Sequence, residues 1–356
     1  MVGRSLLRQL VCDPEWDVIA VSRRTPDVEG KYHHIVADLL DPGDAEARLG
    51  GLSEVTHIFF SAYIEKPTWA EMVAPNLALL INLIDVVEPA ARGLQHVNLM
   101  HGTKWYGNHL GPFKTPAKET DPRHMPPNFY YDQHAFIVDR QKGKAWTWSS
   151  ARPHAVCGIA IGNPMNLVMV LAVYATISKA LGLPLRHPGS EVSARALYNV
   201  TDSDLLARAC VWMATDPAAA NEPFNITNGD IFRWQDMWRA IADYFEMKTA
   251  QPQKIGERRP LGQSLQRHDL DPRAARARPA EQGAGALAHA RVLCHRNRRL
   301  LQLREKVVLE RVGLRLRGHR FDDGGRAQRC QECSAVDMHD LSLEDRSAYP
   351  NPARSA

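Results

Sequence analysis

The stretch His57–Ala62 reads HIFFSA, and His96–Met100 reads HVNLM. Both are short apolar runs, typical of strands in a sheet that is covered on both faces. Between them, the stretch Pro75–Ala91 carries apolar side chains at the spacing of one buried helix face: Leu77, Leu80, Ile81, Ile84 and Val87. The order strand, helix, strand predicts a βαβ unit with parallel strands.

Two further short strands precede this unit, Asp17–Ser22 (DVIAVS) and His34–Ala37 (HIVA). Strands that alternate with amphipathic helices predict an α/β fold: a Rossmann-like doubly wound parallel sheet, followed by a smaller C-terminal substrate lobe. Ligands of such sheets bind beyond the carboxyl ends of the strands. We therefore expect the functional residues at those ends.

The first ten residues predict a helix (GRSLLRQL) with no strand before it. A dinucleotide-binding unit opens with an apolar strand and a glycine-rich turn that lets the backbone approach a pyrophosphate. Only Gly3 stands where the last glycine of that turn belongs. We expect the first strand and turn to be missing, which puts cofactor affinity in question.

Composition changes near residue 256. Residues 256–356 contain 19 Arg and 1 Lys against 13 acidic residues, whereas residues 1–255 contain 24 basic and 27 acidic residues. We interpret residues 1–255 as one nucleotide-binding, Rossmann-like domain, with part of the substrate lobe from about residue 155. Residues 256–356 predict a poorly ordered tail, because few large apolar groups are available for packing. The tail is either a basic interaction arm or the product of a reading-frame error, and the second alternative makes a damaged gene product conceivable.

The mildly acidic body argues against nucleic-acid binding. Six scattered cysteines form no disulfide framework, and neither a secretory signal nor a run of about 18 apolar residues is present. These features predict a cytoplasmic protein without a membrane span. Cys294, His295, Cys330 and Cys333 have zinc-like residue types, but their place in the atypical tail favours coincidence, and we expect no metal site.

Four motifs occur in order: Gly102-Thr103-Lys104, then PNFYYD at residues 127–132, Arg152-Pro153-His154, and FNITNGD at residues 224–230. Together they resemble the progesterone 5β-reductase/iridoid synthase-like family of extended short-chain dehydrogenases/reductases, from about Gly3 to about Ala250. The resemblance implies NADPH as cofactor and hydride transfer to the C=C bond of a small unsaturated carbonyl compound. It also implies that Lys104 and Tyr130 form the catalytic pair, although they come from separate segments.

Hydride addition to the β-carbon of an enone leaves negative charge on the carbonyl oxygen, which a phenol O–H stabilises. A nearby ammonium lowers the pKa of the phenol. Tyr131 competes with Tyr130 for this role. Tyr244 and Lys248 form a literal YxxxK motif, but they follow FNITNGD and therefore stand too late in the chain.

Arg23 and Arg24 follow the Asp17–Ser22 strand, where arginine favours the 2′-phosphate of NADP over the 2′-hydroxyl of NAD. The resemblance also implies that Asp38 contacts the adenine and that Ser61 and Ala62 belong to the loop that passes the cofactor. It further implies that Pro153 and Val156 close over the nicotinamide. The complete set of expected cofactor-binding residues is Gly3, Arg23, Arg24, Asp38, Ser61, Ala62, Lys104, Tyr130, Pro153 and Val156.

Two other functions remain open. A nucleotide-sugar epimerase or dehydratase shares the extended fold, but it requires YxxxK at the catalytic position. A non-catalytic regulator that senses NADP would not need the Tyr130 and Lys104 pair. The apolar stretch Asn166–Leu181 predicts a helix that lines the pocket or forms a subunit contact, as in a homodimer.

Overall fold

The structure is a computed structural model and describes residues 1–159 and 166–252. The helices in these ranges are α1 (Val2–Val11), α2 (Pro42–Leu49), α3 (Trp69–Ala90), α4 (Phe129–Gln141), α5 (Leu167–Ala180), α6 (Glu191–Arg195), α7 (Ser203–Thr215) and α8 (Trp234–Tyr244). The strands are β1 (Ile19–Val21), β2 (His33–Ile35), β3 (His57–Phe60), β4 (His96–Met100), β5 (Thr147–Pro153), β6 (Val156–Cys157), β7 (Leu185–Arg186), β8 (Leu197–Tyr198), β9 (Thr201–Asp202), β10 (Glu222–Ile226), β11 (Phe232–Arg233) and β12 (Thr249–Ala250).

The central sheet is parallel, as predicted. Four strands pair in the order β10-β5-β4-β3, and β1 pairs with β2 in a separate parallel pair. Helices cover both faces: α1 and α7 pack together on one face, while α2, α3 and α4 pack on the other. The predicted doubly wound α/β architecture is therefore confirmed, with a break in the sheet between β1 and β3.

The largest apolar cluster lies between the sheet and α3. Leu80, Ile84 and Val97 are fully buried in it. Helix α3 begins at Trp69, six residues before the start that the sequence predicted. Thr68 and Glu71 form a reciprocal capping box there, and Pro75 is accommodated inside the helix.

Helix α3 is also long and apolar enough to cross a membrane by length and composition alone. Core helices of soluble proteins meet the same criterion, and the buried face of α3 packs into the core beneath the sheet. The polar Asn76 side chain within it is satisfied by the backbone of Ile64, its Nδ2 donating to the carbonyl oxygen over 2.8 Å. This packing identifies α3 as a core helix.

The opposite face carries the packed pair α1 and α7. The Ser5 hydroxyl donates to the Ser203 hydroxyl over 2.9 Å, and Arg8 pairs with Asp204 at 3.2 Å. The Asp202 side chain accepts the backbone N–H groups of residues 204 and 205. Asp202 therefore caps the amino end of α7.

A smaller apolar cluster joins α5, β7 and α8 through Ala175, Leu185, Trp238 and Ala242. Helix α5 matches the helix predicted over Asn166–Leu181. The division of the chain into a reductase-type domain, a substrate lobe and a tail stays a prediction. Residues 256–356, which include Cys294, His295, Cys330 and Cys333, lie outside the described residues.

Candidate active site

Lys104 lies in a single 3-10 turn, Thr103–Tyr106, directly after the carboxyl end of β4. Its ammonium nitrogen lies 4.8 Å from the centroid of the Trp69 ring, at the start of α3. Burial lowers the pKa of Lys104, and the charge of Glu65 opposes that shift. The ammonium is thus held over an aromatic face in a partly desolvated position.

Tyr130 is the second residue of α4, and the side chain of Asn128 caps this helix. The Asn128 Oδ1 accepts the backbone N–H of Tyr130 at 3.1 Å. The Asn128 Nδ2 donates to the carbonyl oxygen of Lys104 at 3.0 Å. One buried amide therefore holds the Tyr130 and Lys104 segments together.

The Tyr130 hydroxyl points to the carboxyl ends of β4 and β5. A Cβ placed on Gly102 would lie 3.4 Å from this hydroxyl and 3.4 Å from the carbonyl oxygen of Pro153. The Tyr130 ring packs against His101 and Phe129, with centroid separations of 4.9 and 4.5 Å. The Tyr130 hydroxyl and the Pro153 carbonyl oxygen therefore both lie next to Gly102.

The pKa of Tyr130 is raised well above its ordinary value, chiefly by burial and further by the charge of Glu65. Tyr130 is consequently a neutral phenol at physiological pH and can donate a hydrogen bond. The ammonium of Lys104 was expected to lower this pKa. In the structure, burial raises the pKa of Tyr130 instead, because desolvation disfavours the phenolate.

The neighbouring Tyr131 is engaged elsewhere. Its hydroxyl donates to the carbonyl oxygen of Trp105 over 2.7 Å and accepts the backbone N–H of His124 at 3.0 Å. This geometry favours Tyr130 for contact with a ligand. In the late YxxxK motif, α8 ends at Tyr244, so Lys248 does not share a helix face with it.

A buried arginine, Arg152, lies next to these residues. The Arg152 guanidinium stacks 3.9 Å from the Trp105 ring centroid and donates to the Tyr106 hydroxyl over 3.0 Å. His101 is also buried, and burial together with the charge of Arg152 holds its pKa well below the ordinary value. His101 is therefore neutral, and its ring packs against the ring of Tyr130.

A cavity of about 2000 Å³ opens between β1 and β3. Six of the residues expected to bind cofactor line it: Gly3, Arg23, Arg24, Asp38, Ser61 and Ala62. Lys104, Tyr130, Pro153 and Val156 do not line it. The carbonyl oxygen of Pro153 and the hydroxyl of Tyr130 both lie next to Gly102. Val156 lies in β6 and pairs with Thr201 of β9.

The local structure of the cavity suits a dinucleotide. Arg23 and Arg24 are exposed, and the turn that carries them is held by the Ser22 hydroxyl, which donates to the Arg24 carbonyl oxygen over 2.7 Å. A Cβ on Gly3 would approach the Ser61 Oγ to 3.0 Å. The amino end of α1 therefore lies close to the loop after β3, and free helix N–H groups are suited to phosphate oxygens.

Sequence reasoning missed three residues of the site. Trp69 contacts the Lys104 ammonium, Glu65 shifts the pKa values of both proposed catalytic groups, and Asn128 links their segments. Asn128 could have been found, because asparagine directly before a helical run is a common N-cap. Trp69 and Glu65 belong to no periodic sequence pattern that would have indicated a place in the site.

The chain matches the PRISE-like Rossmann-fold domain over residues 36–270. It is 35% identical to an (S)-8-oxocitronellyl enol synthase of Nepeta racemosa over 268 residues, which cover 70% of this chain and 68% of the relative. It is 36% identical to a 3-oxo-Delta(4,5)-steroid 5-beta-reductase of Arabidopsis thaliana over 245 residues, which cover 65% of this chain and 62% of the relative.

A UDP-glucose 4-epimerase structure from Thermotoga maritima is similar in fold, with a TM-score of 0.56 at 16% identity, over 71% of this chain and 84% of that one. The predicted family and Rossmann fold are confirmed. The predictions of an enzyme and of a nicotinamide cofactor are confirmed at the level of that family.

Proposed function

Because this chain belongs to the PRISE-like Rossmann-fold domain family, we propose that it reduces the C=C bond of a small enone with NADPH in the cytoplasm. The observation that carries this proposal is the Asn128 side chain, which ties the Lys104 and Tyr130 segments together, with the Tyr130 hydroxyl next to Gly102. The matched relatives are named for reactions of an oxocitronellyl compound and a 3-oxo-steroid. Both names fit an unsaturated carbonyl substrate.

NADPH, when bound in the cavity that Arg23, Arg24 and Asp38 line, would supply the hydride and leave as NADP⁺. Addition of that hydride at the β-carbon breaks the C=C π bond, and the electron pair moves to the carbonyl oxygen as an enolate. The neutral Tyr130 phenol donates a hydrogen bond to this oxygen, where the charge develops. The α-carbon of the enolate then takes one proton from solvent, so the product is a saturated carbonyl compound.

The residues of the cavity would hold the cofactor as follows. Arg23 and Arg24 would bind a ribose 2′-phosphate, because the arginine fork suits phosphate oxygens. Asp38 would face the adenine. The Lys104 ammonium, which lies over the Trp69 ring, would hold the ribose of the nicotinamide.

The walls around Tyr130 are aromatic. Phe129 lies between Trp69 and Tyr63, with ring centroids 6.2 and 5.8 Å away. Such walls favour a flat, apolar carbonyl compound over a sugar nucleotide, whose hydroxyl and phosphate groups need polar partners. The epimerase alternative has no supporting observation, since the proposed tyrosine and lysine do not share a helix.

The test is NADPH consumption by the full chain with cyclohexenone. Replacement of Tyr130 by Phe should lower kcat by about 10²–10³, the usual effect of removing one oxyanion donor, with little change in NADPH affinity. Tyr131→Phe is the matched control and should lose stability while retaining most of its rate. Equal rates for wild type and Tyr130→Phe, or loss of rate only in Tyr131→Phe, would contradict the proposal.

A further inference from the structure

A chain of hydrogen bonds ties the turn that carries Lys104 to two strands of the central sheet. Arg152 of β5 and Asn225 of β10 are partners in the parallel register, so their side chains project from the same face of the sheet. The Tyr106 hydroxyl accepts from Arg152 over 3.0 Å and donates to the Asn225 Oδ1 over 2.8 Å. Because Tyr106 is the last residue of the Lys104 turn, both strands hold that turn at its end.

The Arg152 guanidinium is buried among neutral partners. The residue is 1% exposed, and besides its bond to Tyr106 it donates to the carbonyl oxygen of Glu119 over 3.2 Å. Its guanidinium stacks on the ring of Trp105, the residue directly after Lys104. A buried charge is weak evidence for stability, because an apolar side chain of similar volume is often as stable. The guanidinium is therefore better explained by the geometry that it gives to residues 105 and 106.

Asn225 connects the same turn to the loop that follows it. Its side-chain amide donates to the carbonyl oxygen of Ala117 over 3.2 Å, and its backbone N–H donates to the Glu119 Oε1 over 2.7 Å. Arg152, Tyr106, Asn225 and Glu119 thus form a closed ring of hydrogen bonds, which we call the strand-end clamp. Members of such a buried network depend on one another, so the loss of one hydrogen bond affects the whole ring.

The position of Lys104 depends on contacts of this kind because its own turn is short. The turn has four residues, Thr103–Tyr106, and no side chain caps its start. The ammonium, which lies 4.8 Å from the Trp69 ring centroid, is at the end of a flexible four-carbon side chain. A small rotation of the turn therefore displaces the ammonium by more than it displaces the backbone.

We propose that the strand-end clamp positions Lys104: Arg152 and Tyr106 fix the orientation of the turn and thereby hold the ammonium over the Trp69 ring. Both act through the turn and are positioning residues. The inference rests on the proposed function only for its effect on turnover. The position of Lys104 is measured without substrate or cofactor.

The test is the pKa of Lys104, obtained from the pH dependence of its acetylation by acetic anhydride in the full chain and followed by peptide mass spectrometry. Burial lowers this pKa below 10.5 in the wild type. Tyr106→Phe keeps the ring in place and removes only the hydroxyl at the centre of the clamp. Lys104 should then turn towards solvent, and its pKa should rise by about 0.5, because the ammonium is less desolvated.

Tyr174→Phe is the matched control. The Tyr174 hydroxyl donates to a neutral acceptor, the carbonyl oxygen of Arg186, over 3.0 Å, and its loss should leave the pKa of Lys104 unchanged. A second variant, Asn225→Leu, removes the acceptor of the Tyr106 hydroxyl at similar volume and should reproduce the rise. Because the two residues share one hydrogen bond, the double variant should shift the pKa by no more than the larger single change.

An unchanged pKa in Tyr106→Phe, an equal rise in Tyr174→Phe, or additive shifts in the double variant would overturn the inference. Turnover separates this inference from the proposed function. Tyr106→Phe should lower kcat about threefold with little change in KM, since a positioning residue affects the alignment of the reacting groups. A protein that reduces no enone but shows the rise in the pKa of Lys104 would support the clamp and contradict the reductase function. Reduction of the enone without that rise would contradict the clamp alone.

Discussion

The Asn128 side chain donates a hydrogen bond to the carbonyl oxygen of Lys104 across 3.0 Å. Its other amide atom caps α4 at Tyr130, and the residue is only 1% exposed. Two segments that are distant in sequence thus share one rigid, buried contact. Asn128 thus holds Lys104 and Tyr130 in place before a substrate binds. Little free energy is then needed to reorganise them during a reaction.

Replacement of Asn128 by Asp keeps the cap acceptor but removes the donor to Lys104. The buried carbonyl then lacks its partner, which costs about 1–3 kcal/mol, and the carboxylate repels it. We expect kcat to fall about tenfold or more with a smaller change in KM for NADPH, measured by steady-state kinetics. Gln141→Glu is the matched control. Gln141 is the last residue of α4, and its side-chain amide also donates to a backbone carbonyl, that of Trp146. Equal losses of kcat in both variants would contradict a positioning role.

Replacement of Trp69 by Leu removes the aromatic face beneath the Lys104 ammonium. The contact is worth about 1 kcal/mol in a partly desolvated site, so kcat/KM should fall about fivefold. Trp69→Phe retains a ring and should restore much of the loss. If Leu and Phe variants behave alike, the ring contributes packing only, and the cation–π role is wrong.

The alkaline limit of activity should belong to Lys104. Burial lowers its pKa below 10.5, whereas the pKa of Tyr130 is raised, so the lysine deprotonates first as pH rises. The ammonium is present below its pKa, and activity is lost as pH passes through it. Because the charge of Glu65 raises the lysine pKa, Glu65→Gln should move the alkaline limb of the kcat/KM profile to lower pH.

Glu222→Gln, an exposed change in β10 away from this lysine, is the control and should leave the profile in place. A limb that stays in place or moves to higher pH in Glu65→Gln would show that Lys104 does not set the alkaline limit.

Removal of both arginines, Arg23→Ala with Arg24→Ala, should raise KM for NADPH and leave KM for NADH almost unchanged. A phosphate that loses charge-assisted hydrogen bonds loses about 1.5–3 kcal/mol, which is a tenfold or greater rise. Arg48→Ala, an exposed arginine paired with Asp44 on α2, serves as control. A similar rise for both cofactors would mean that the arginines do not read the 2′-phosphate.

The sequence predicted the central βαβ unit well, because buried strands and the face of α3 carry continuous apolar patterns. It placed the start of α3 too late, since Pro75 was interpreted as a helix start and the capping box at Thr68 was overlooked. The pairing of Tyr130 with Lys104 came from resemblance. Their link through Asn128 joins residues far apart in sequence, and such contacts leave no periodic trace.

The pKa of Tyr130 was the part least accessible to sequence reasoning. Whether burial or a neighbouring cation determines it depends on how closely the ring is enclosed by His101 and Phe129. That enclosure is a property of packing in three dimensions. The pKa of Tyr130 is consequently raised, whereas the sequence predicted a lowered pKa.

The chain between Lys104 and Asn128 is attached to the body at His124, through the Tyr131 hydroxyl, and at Glu119, whose carbonyl accepts from Arg152. The exposed tip between these attachments and β4 includes Leu110 and Gly111. Evolution could lengthen or shorten this tip without moving the two reacting side chains, because neither attachment depends on its length.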